Sequence, residues 1–88
     1  MSNTVLDIIV AEDLKAWAKD EPKLVKKFFE LLSDIQKNPF EGLGKPEALK
    51  HQYKGFWSRR ISDEHRLIYR VLPDKTIHIV SVHGHYGL

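Results

Sequence analysis

The spacing of apolar residues changes period around Asn38-Pro39. Before that point they recur at helical intervals, and beyond about Glu47 they alternate, so a helical front half must pack on a sheet built by the back half. Leu24, Phe28, Leu31, Leu32 and Ile35 line one face of a helix that Val25 and Phe29 widen, while Lys26, Lys27, Glu30, Asp34 and Lys37 lie on its wet side. Asp20-Glu21-Pro22 starts it, with acids at the positive end of the dipole and proline at the first helical position. Pro39 stops it by disfavouring helical geometry at Asn38. Upstream, Val10, Leu14 and Trp17 fall at i, i+4 and i+7 and predict a helix over at least residues 10 to 19. That leaves a very short strand around Thr4 to Leu6, with Asp7 either interrupting a longer apolar run or capping a helix that begins at Ile8. The two helices form a hairpin whose apolar face needs a cover.

Gly42, Gly44 and Pro46 break the chain, and regular structure is expected again near Glu47, in a short helix or a strand edge. Alternating runs at Gly55 to Ile61, Arg66 to Leu72 and, after the turn Pro73-Asp74-Lys75, Thr76 to His83 predict a three-stranded antiparallel meander. The fold class is therefore α+β. A chain of 88 residues buries only roughly 60 to 65% of its unfolded surface, so residues 1–88 are read as one domain around one core.

The absence of cysteine removes disulfides, thiolate nucleophiles and cysteine-ligated zinc. No apolar run approaches the roughly 18 to 20 residues of a membrane span, and the N-terminus lacks the pattern of a signal peptide, so a cytoplasmic protein with no membrane partner is expected. Charge is segregated. Residues 1–44 carry six Lys and eight acids, whereas residues 45–88 carry eight Lys or Arg, four acids, all the arginines and all five histidines. That bias suits a polyanionic partner at one end of the molecule.

The second half also holds the groups needed to cut RNA without a metal: a base for a ribose hydroxyl, cations for the phosphate, an acid for the leaving oxygen and rings to grip a base. Glu47 is a carboxylate followed by Lys50 and His51, and His85 is an imidazole that titrates near neutrality. His83 and His85 would share a strand face, but with no third ligand at strong spacing no metal or other cofactor is expected. Arg59, Arg60, Arg66 and Arg70 lie on or beside the predicted sheet, where strands can fix a guanidinium on a phosphate. Alternation separates Arg59 from Arg60, so at most one of them faces the cleft; the structural role open to Arg59 is a surface pair with Asp63 or Glu64. Tyr53, Phe56, Trp57 and Tyr69 are expected mostly in the core, whereas Tyr86 is placed for stacking on a base. Ser58 has no His-Asp company in a recognisable order.

As a set, the run Asn38-Pro-Phe-Glu-Gly-Leu-Gly-Lys-Pro-Glu-Ala-Leu-Lys-His51, the Gly55-Phe-Trp-Ser-Arg-Arg-Ile61 block, Glu64-His-Arg-Leu-Ile-Tyr69 and the closing His85-Tyr86 resemble the YoeB/Txe toxins of bacterial toxin-antitoxin systems, within the RelE superfamily. The likeness covers nearly the whole chain. It implies a microbial-ribonuclease-like domain that cleaves mRNA in the ribosomal A site, needs no cofactor and is held inactive by a cognate antitoxin. It also suggests a homodimer. By the same resemblance Glu47 matches the general base, Arg66 the phosphate clamp, His85 the general acid and Tyr86 a ring that supports substrate positioning. Lys50, His51 and Arg60 match positions associated with substrate or ribosome contact, and Lys54, Arg59 and His83 extend that basic set. Three features depart from the pattern: His83-Gly84 stands where relatives often carry a basic residue and an aromatic, Gly87-Leu88 extends past Tyr86, and the turn at Pro73 is one residue longer. The competing function is a RelE/ParE-type toxin that binds a target such as a topoisomerase without cutting RNA, and a third is a noncatalytic RNA-binding or antitoxin-sequestered domain. A pure binder has no need for an acid and base pair.

Overall fold

The computed structural model of the chain describes residues 3–84. A short strand β1 (Thr4–Leu6) leads into helices α1 (Ile8–Asp20) and α2 (Pro22–Lys37), then strands β2 (Glu47–Ala48), β3 (Trp57–Arg60), β4 (Arg66–Val71) and β5 (Ile77–Ser81), with a 3-10 turn at His51–Tyr53. The expected α+β order is thus what the chain forms, with β2 added at the edge. Glu47 takes the strand-edge alternative.

Local chemistry sets the helix boundaries. Glu21 closes α1 through its N–H to the Trp17 carbonyl at 2.6 Å and opens α2, where Pro22 occupies the first turn. Asn38 ends α2 in an extended conformation, as a residue before proline prefers, and its N–H still reaches the Asp34 carbonyl at 2.9 Å. Asp7 stands at the start of α1 but its carboxylate caps nothing. Instead Oδ1 meets His78 Nε2 at 2.7 Å, and the backbone of Asp7 carries the turn by donating to the Ile79 carbonyl and accepting from Val10.

The five strands form one sheet in the order β1-β5-β4-β3-β2, with β1 parallel to β5 and every other pair antiparallel. All three meander strands stop short of the alternating runs in the sequence, β4 by a single residue. Ile61 and Ser62 both donate to the His65 carbonyl, which converts the end of the first run into a turn. Ser81 Oγ accepts from the amides of His83 and Gly84 and ends β5.

Alternation then divides the sheet into two faces. Toward the helices point Leu67, Tyr69, Ile77 and Ile79, which join Val10, Leu14, Trp17, Phe28, Leu31 and Ile35 in the main core. The intervening residues Ser58, Arg60, Arg66, Ile68, Arg70 and His78 lie on the other face.

One core position is occupied by a charge. Arg59 has no exposed surface, and its five N–H groups all find acceptors. Nε donates to the Tyr69 hydroxyl at 3.2 Å; one terminal nitrogen donates to Asp34 Oδ2 at 2.6 Å and the Leu43 carbonyl at 3.1 Å; the other donates to the carbonyls of Asn38 at 2.6 Å and Glu41 at 2.8 Å. Tyr69 in turn donates to the Pro39 carbonyl at 2.5 Å. Asp34 also accepts the Leu43 amide at 2.8 Å, so the backbone bond, together with the guanidinium, holds its carboxyl below the ordinary carboxylate range. Burial pushes the Tyr69 phenol up. The surface pair of Arg59 with Asp63 or Glu64 that the sequence left open does not form, because alternation turns Arg59 inward and Asp34 of α2 lies where it lands.

Removing Asp34 would leave the Arg59 charge buried without its counterion, at a cost of about 3 kcal/mol. Because the folded carboxyl is depressed, its contribution is complete above about pH 4 and is lost as pH falls through the folded value. Urea unfolding of Asp34→Ala should therefore show a large deficit at pH 7 that narrows steadily toward pH 2. A deficit independent of pH would contradict the assignment.

Candidate active-site cleft

The loop that Arg59 ties down delivers Glu47 to the sheet. Gly44 sits at φ +79°, its carbonyl accepts the Arg60 amide at 2.7 Å, and a side chain there would meet Leu31 and the Arg60 carbonyl. Pinned against β3 in this way, the chain passes through Lys45 and Pro46 into β2. There Glu47 stands opposite Ser58 and Ala48 opposite Trp57. Ser58 faces Ile68 and Arg60 faces Arg66 in the next pairing, so the register gathers one carboxylate and two guanidinium groups on the helix-free face.

They meet in a cleft of about 90 Å³ lined by Gly44, Lys45, Glu47, Ser58, Arg60 and Arg66. Arg66 is held there by its own turn: one terminal nitrogen donates to the carbonyls of Ser62 at 2.9 Å and His65 at 3.3 Å. Its Nε and other terminal nitrogen make no hydrogen bond among the described residues, leaving one edge of the fork open. Gly84, at φ +74°, packs directly on Arg66, where any side chain would collide with the arginine Cβ. The arrangement offers an acceptor for a proton beside fixed positive charge, with space for a phosphate group.

Lys50 and His51 line a second, more open groove of about 390 Å³ with Glu47 and Tyr53. Lys54 is exposed just beyond it. Two expected contact residues lie elsewhere. Arg59 is inside the molecule, on the opposite side of β3 from Arg60, so it offers no surface to a partner. His83 turns toward α1, with Nε2 3.2 Å from Asp13 Oδ2 and its ring against Trp17 and His65, away from the cleft. His85 and Tyr86, expected as the acid and the stacking ring, lie outside the described residues, as does the Gly87-Leu88 extension. Among the described residues no cluster of three or more His, Asp or Glu is placed to hold a metal.

Lys45, expected from sequence only as one of the basic residues that add ribosome affinity, and Ser58, weighed only as a hydrolase nucleophile, also line the cleft. The signal for Ser58 was present, since it precedes Arg60 by two in an alternating run and must share its face. For Lys45 the sequence showed the charge but not its place in the cleft, which depends on the φ of +52° adopted after Gly44.

Residues 9–86 match the family described as the YoeB-like toxin of bacterial type II toxin-antitoxin systems. The chain is 48% identical over 75 residues to the toxin YoeB of Escherichia coli K12, an overlap covering 85% of this chain and 88% of that one. It superposes with a TM-score of 0.86 on a chain of the heterotetrameric YoeB–YefM toxin-antitoxin complex from Staphylococcus aureus, at 42% identity and covering 98% and 99% of the two chains. Against the YoeB dimer of the same organism the TM-score is 0.87, the identity 43% and the coverage 97% and 98%.

The close approach at Gly44 gives a direct check on how the cleft is built. Gly44→Ala combines a left-handed backbone with a steric conflict and should cost roughly 1–3 kcal/mol. In an amide NMR spectrum its shift changes should concentrate at Glu47, Ser58 and Arg60. Unchanged stability with a wild-type spectrum would show that the loop is not seated as described.

Proposed function

The chain belongs to the YoeB-like toxins of bacterial type II toxin-antitoxin systems, and we propose that it is an endoribonuclease that cuts mRNA in the ribosomal A site and so inhibits translation. The observation that carries this reading is the convergence of Glu47, Arg60 and Arg66 on one cleft. Glu47 takes the proton of a ribose 2′-hydroxyl, whose oxygen attacks the adjacent phosphorus. The bond from phosphorus to the 5′ oxygen breaks, His85 gives that oxygen a proton, and the products are a 2′,3′-cyclic phosphate and a 5′-hydroxyl. Arg66, with its open guanidinium edge, stabilises the charge that builds on the phosphoryl oxygens, and Arg60 adds to that field. Gly84, seated on Arg66, is one peptide bond from His85. Tyr86 supports the substrate beside it. Because the arginines supply the positive charge, the reaction needs no cofactor.

The few cations at the cleft, Lys45, Arg60 and Arg66, give the chain little means of orienting free RNA, which supports dependence on the ribosome. Lys50, His51, Lys54 and Arg60 then serve as contacts to mRNA or ribosome. The Staphylococcus aureus relatives occur as a YoeB–YefM heterotetramer and as a dimer, which supports a cognate antitoxin and a homodimer as partners of this chain. The reading places the protein in the cytoplasm with the ribosome. Residues 1–88 act as a single toxin domain.

Glu47→Gln and His85→Ala should each lower single-turnover cleavage on programmed ribosomes by about 100-fold or more, with circular dichroism unchanged. Naked mRNA should be cut slowly. A well-folded Glu47→Gln that remains fully toxic would contradict cleavage by this base and favour a toxin that acts by binding.

A further inference from the structure

The four arginines of this chain are held in contrasting ways. Arg59 uses all its N–H groups inside the protein, whereas Arg70 uses only Nε, which donates to His78 Nδ1 at 3.0 Å. Its guanidinium lies over the ring of Phe56, 5.4 Å from the centroid. The terminal nitrogens of Arg70 have no hydrogen-bond partner among the described residues. Arginine is always protonated, so His78 Nδ1 must accept; the imidazole is then neutral, and its proton sits on Nε2, donated to Asp7 Oδ1 at 2.7 Å. Asp7 thus fixes the tautomer and ring plane of His78, and His78 with Phe56 fixes the fork of Arg70. Long side chains lose considerable rotamer freedom when held, and here the ordered group is left with its donors open.

We propose that Arg70 is a second phosphate-binding residue for single-stranded RNA, with His78 and Asp7 as its positioning residues. This rests on the nuclease reading of the neighbouring cleft. Arg66, Ile68 and Arg70 alternate on one face of β4, so Arg70 shares the helix-free face with Glu47, Arg60 and Arg66. At about 3.3 Å per residue the two arginine Cα atoms are about 13 Å apart, far enough to hold different phosphates of one strand. The cleft arginine meets the phosphate at the scissile position, and Arg70 holds one further along.

The test uses a tetranucleotide with 2′-O-methyl riboses, which cannot be cleaved because the nucleophilic hydroxyl is blocked, so its outcome does not depend on catalysis. Titrated into the full chain and followed by NMR, it should move the side-chain resonances of Arg70 and His78 as well as those of Arg66. Arg70→Gln should weaken binding about tenfold and lower the slope of log affinity against log salt by about 0.7, the value for one phosphate contact on a single strand. Asp7→Ala should weaken binding in the same direction, Asp7→Asn should restore it by keeping an acceptor for Nε2, and neither should add to Arg70→Gln. The imidazole nitrogen spectrum should show an unprotonated Nδ1. Wild-type affinity and salt slope in Arg70→Gln, no binding by the wild type, or shifts confined to Arg66 would overturn the proposal. Loss of ribosome-dependent cleavage in the wild type, with this binding intact, would instead count against the nuclease reading alone.

Discussion

The guanidinium of Arg59 is the fixed point from which the rest of the molecule can be reasoned. Removing such a charge from water costs several kcal/mol, and the protein tolerates it because a carboxylate, a phenol and three backbone carbonyls surround it at hydrogen-bonding distance. Three of those acceptors, Asn38, Glu41 and Leu43, belong to the loop after α2, which lacks regular structure and would otherwise have several unsatisfied carbonyls. A single side chain from β3 therefore orders the segment that leads into Glu47. Seen this way, the buried ion pair gives a specified loop geometry more than it gives net stability.

The sheet separates the core from the candidate cleft by the alternation of its strands. On one face Leu67, Tyr69, Ile77 and Ile79 complete the core under the helices; on the other, Ser58 and Ile68 are buried while Arg60 is exposed and Arg66, Arg70 and His78 are partly so. Arg59 and Arg60 are adjacent in sequence and serve opposite faces, the first as internal scaffold and the second as part of the cleft. Edge strand β2 contributes only two residues, yet its pairing with β3 fixes Glu47 opposite Ser58. Chemistry positioned by a strand register is held more tightly than chemistry on a loop.

Much of this was legible in the chain before its structure. Helical spacing in Val10, Leu14 and Trp17 and in Leu24 through Ile35 gave both helices, and Pro22 and Pro39 gave their junction and stop to within a residue or two. Alternation gave the meander but overran the strands, because the local turn bonds to the His65 carbonyl and to Ser81 Oγ leave no mark on the apolar-polar pattern. It also showed that Arg59 and Arg60 must part, without showing which went inside, since that depends on Asp34 lying 25 residues away. The same long-range dependence hid the pairing of Asp7 with His78. The assignment of Glu47 and Arg66 came from a family resemblance, and the structure adds that their positions converge on one cleft.

The cleft owes its geometry to the five-donor fork of Arg59, and Arg59→Lys tests that dependence. Lysine keeps the charge that faces Asp34 but has three donors on a single nitrogen, so some of the loop carbonyls must lose their partner. Single-turnover mRNA cleavage on the ribosome should fall by about tenfold or more in protein that circular dichroism shows to be folded at the assay temperature. A folded Arg59→Lys protein that cleaves at the wild-type rate would contradict the claim.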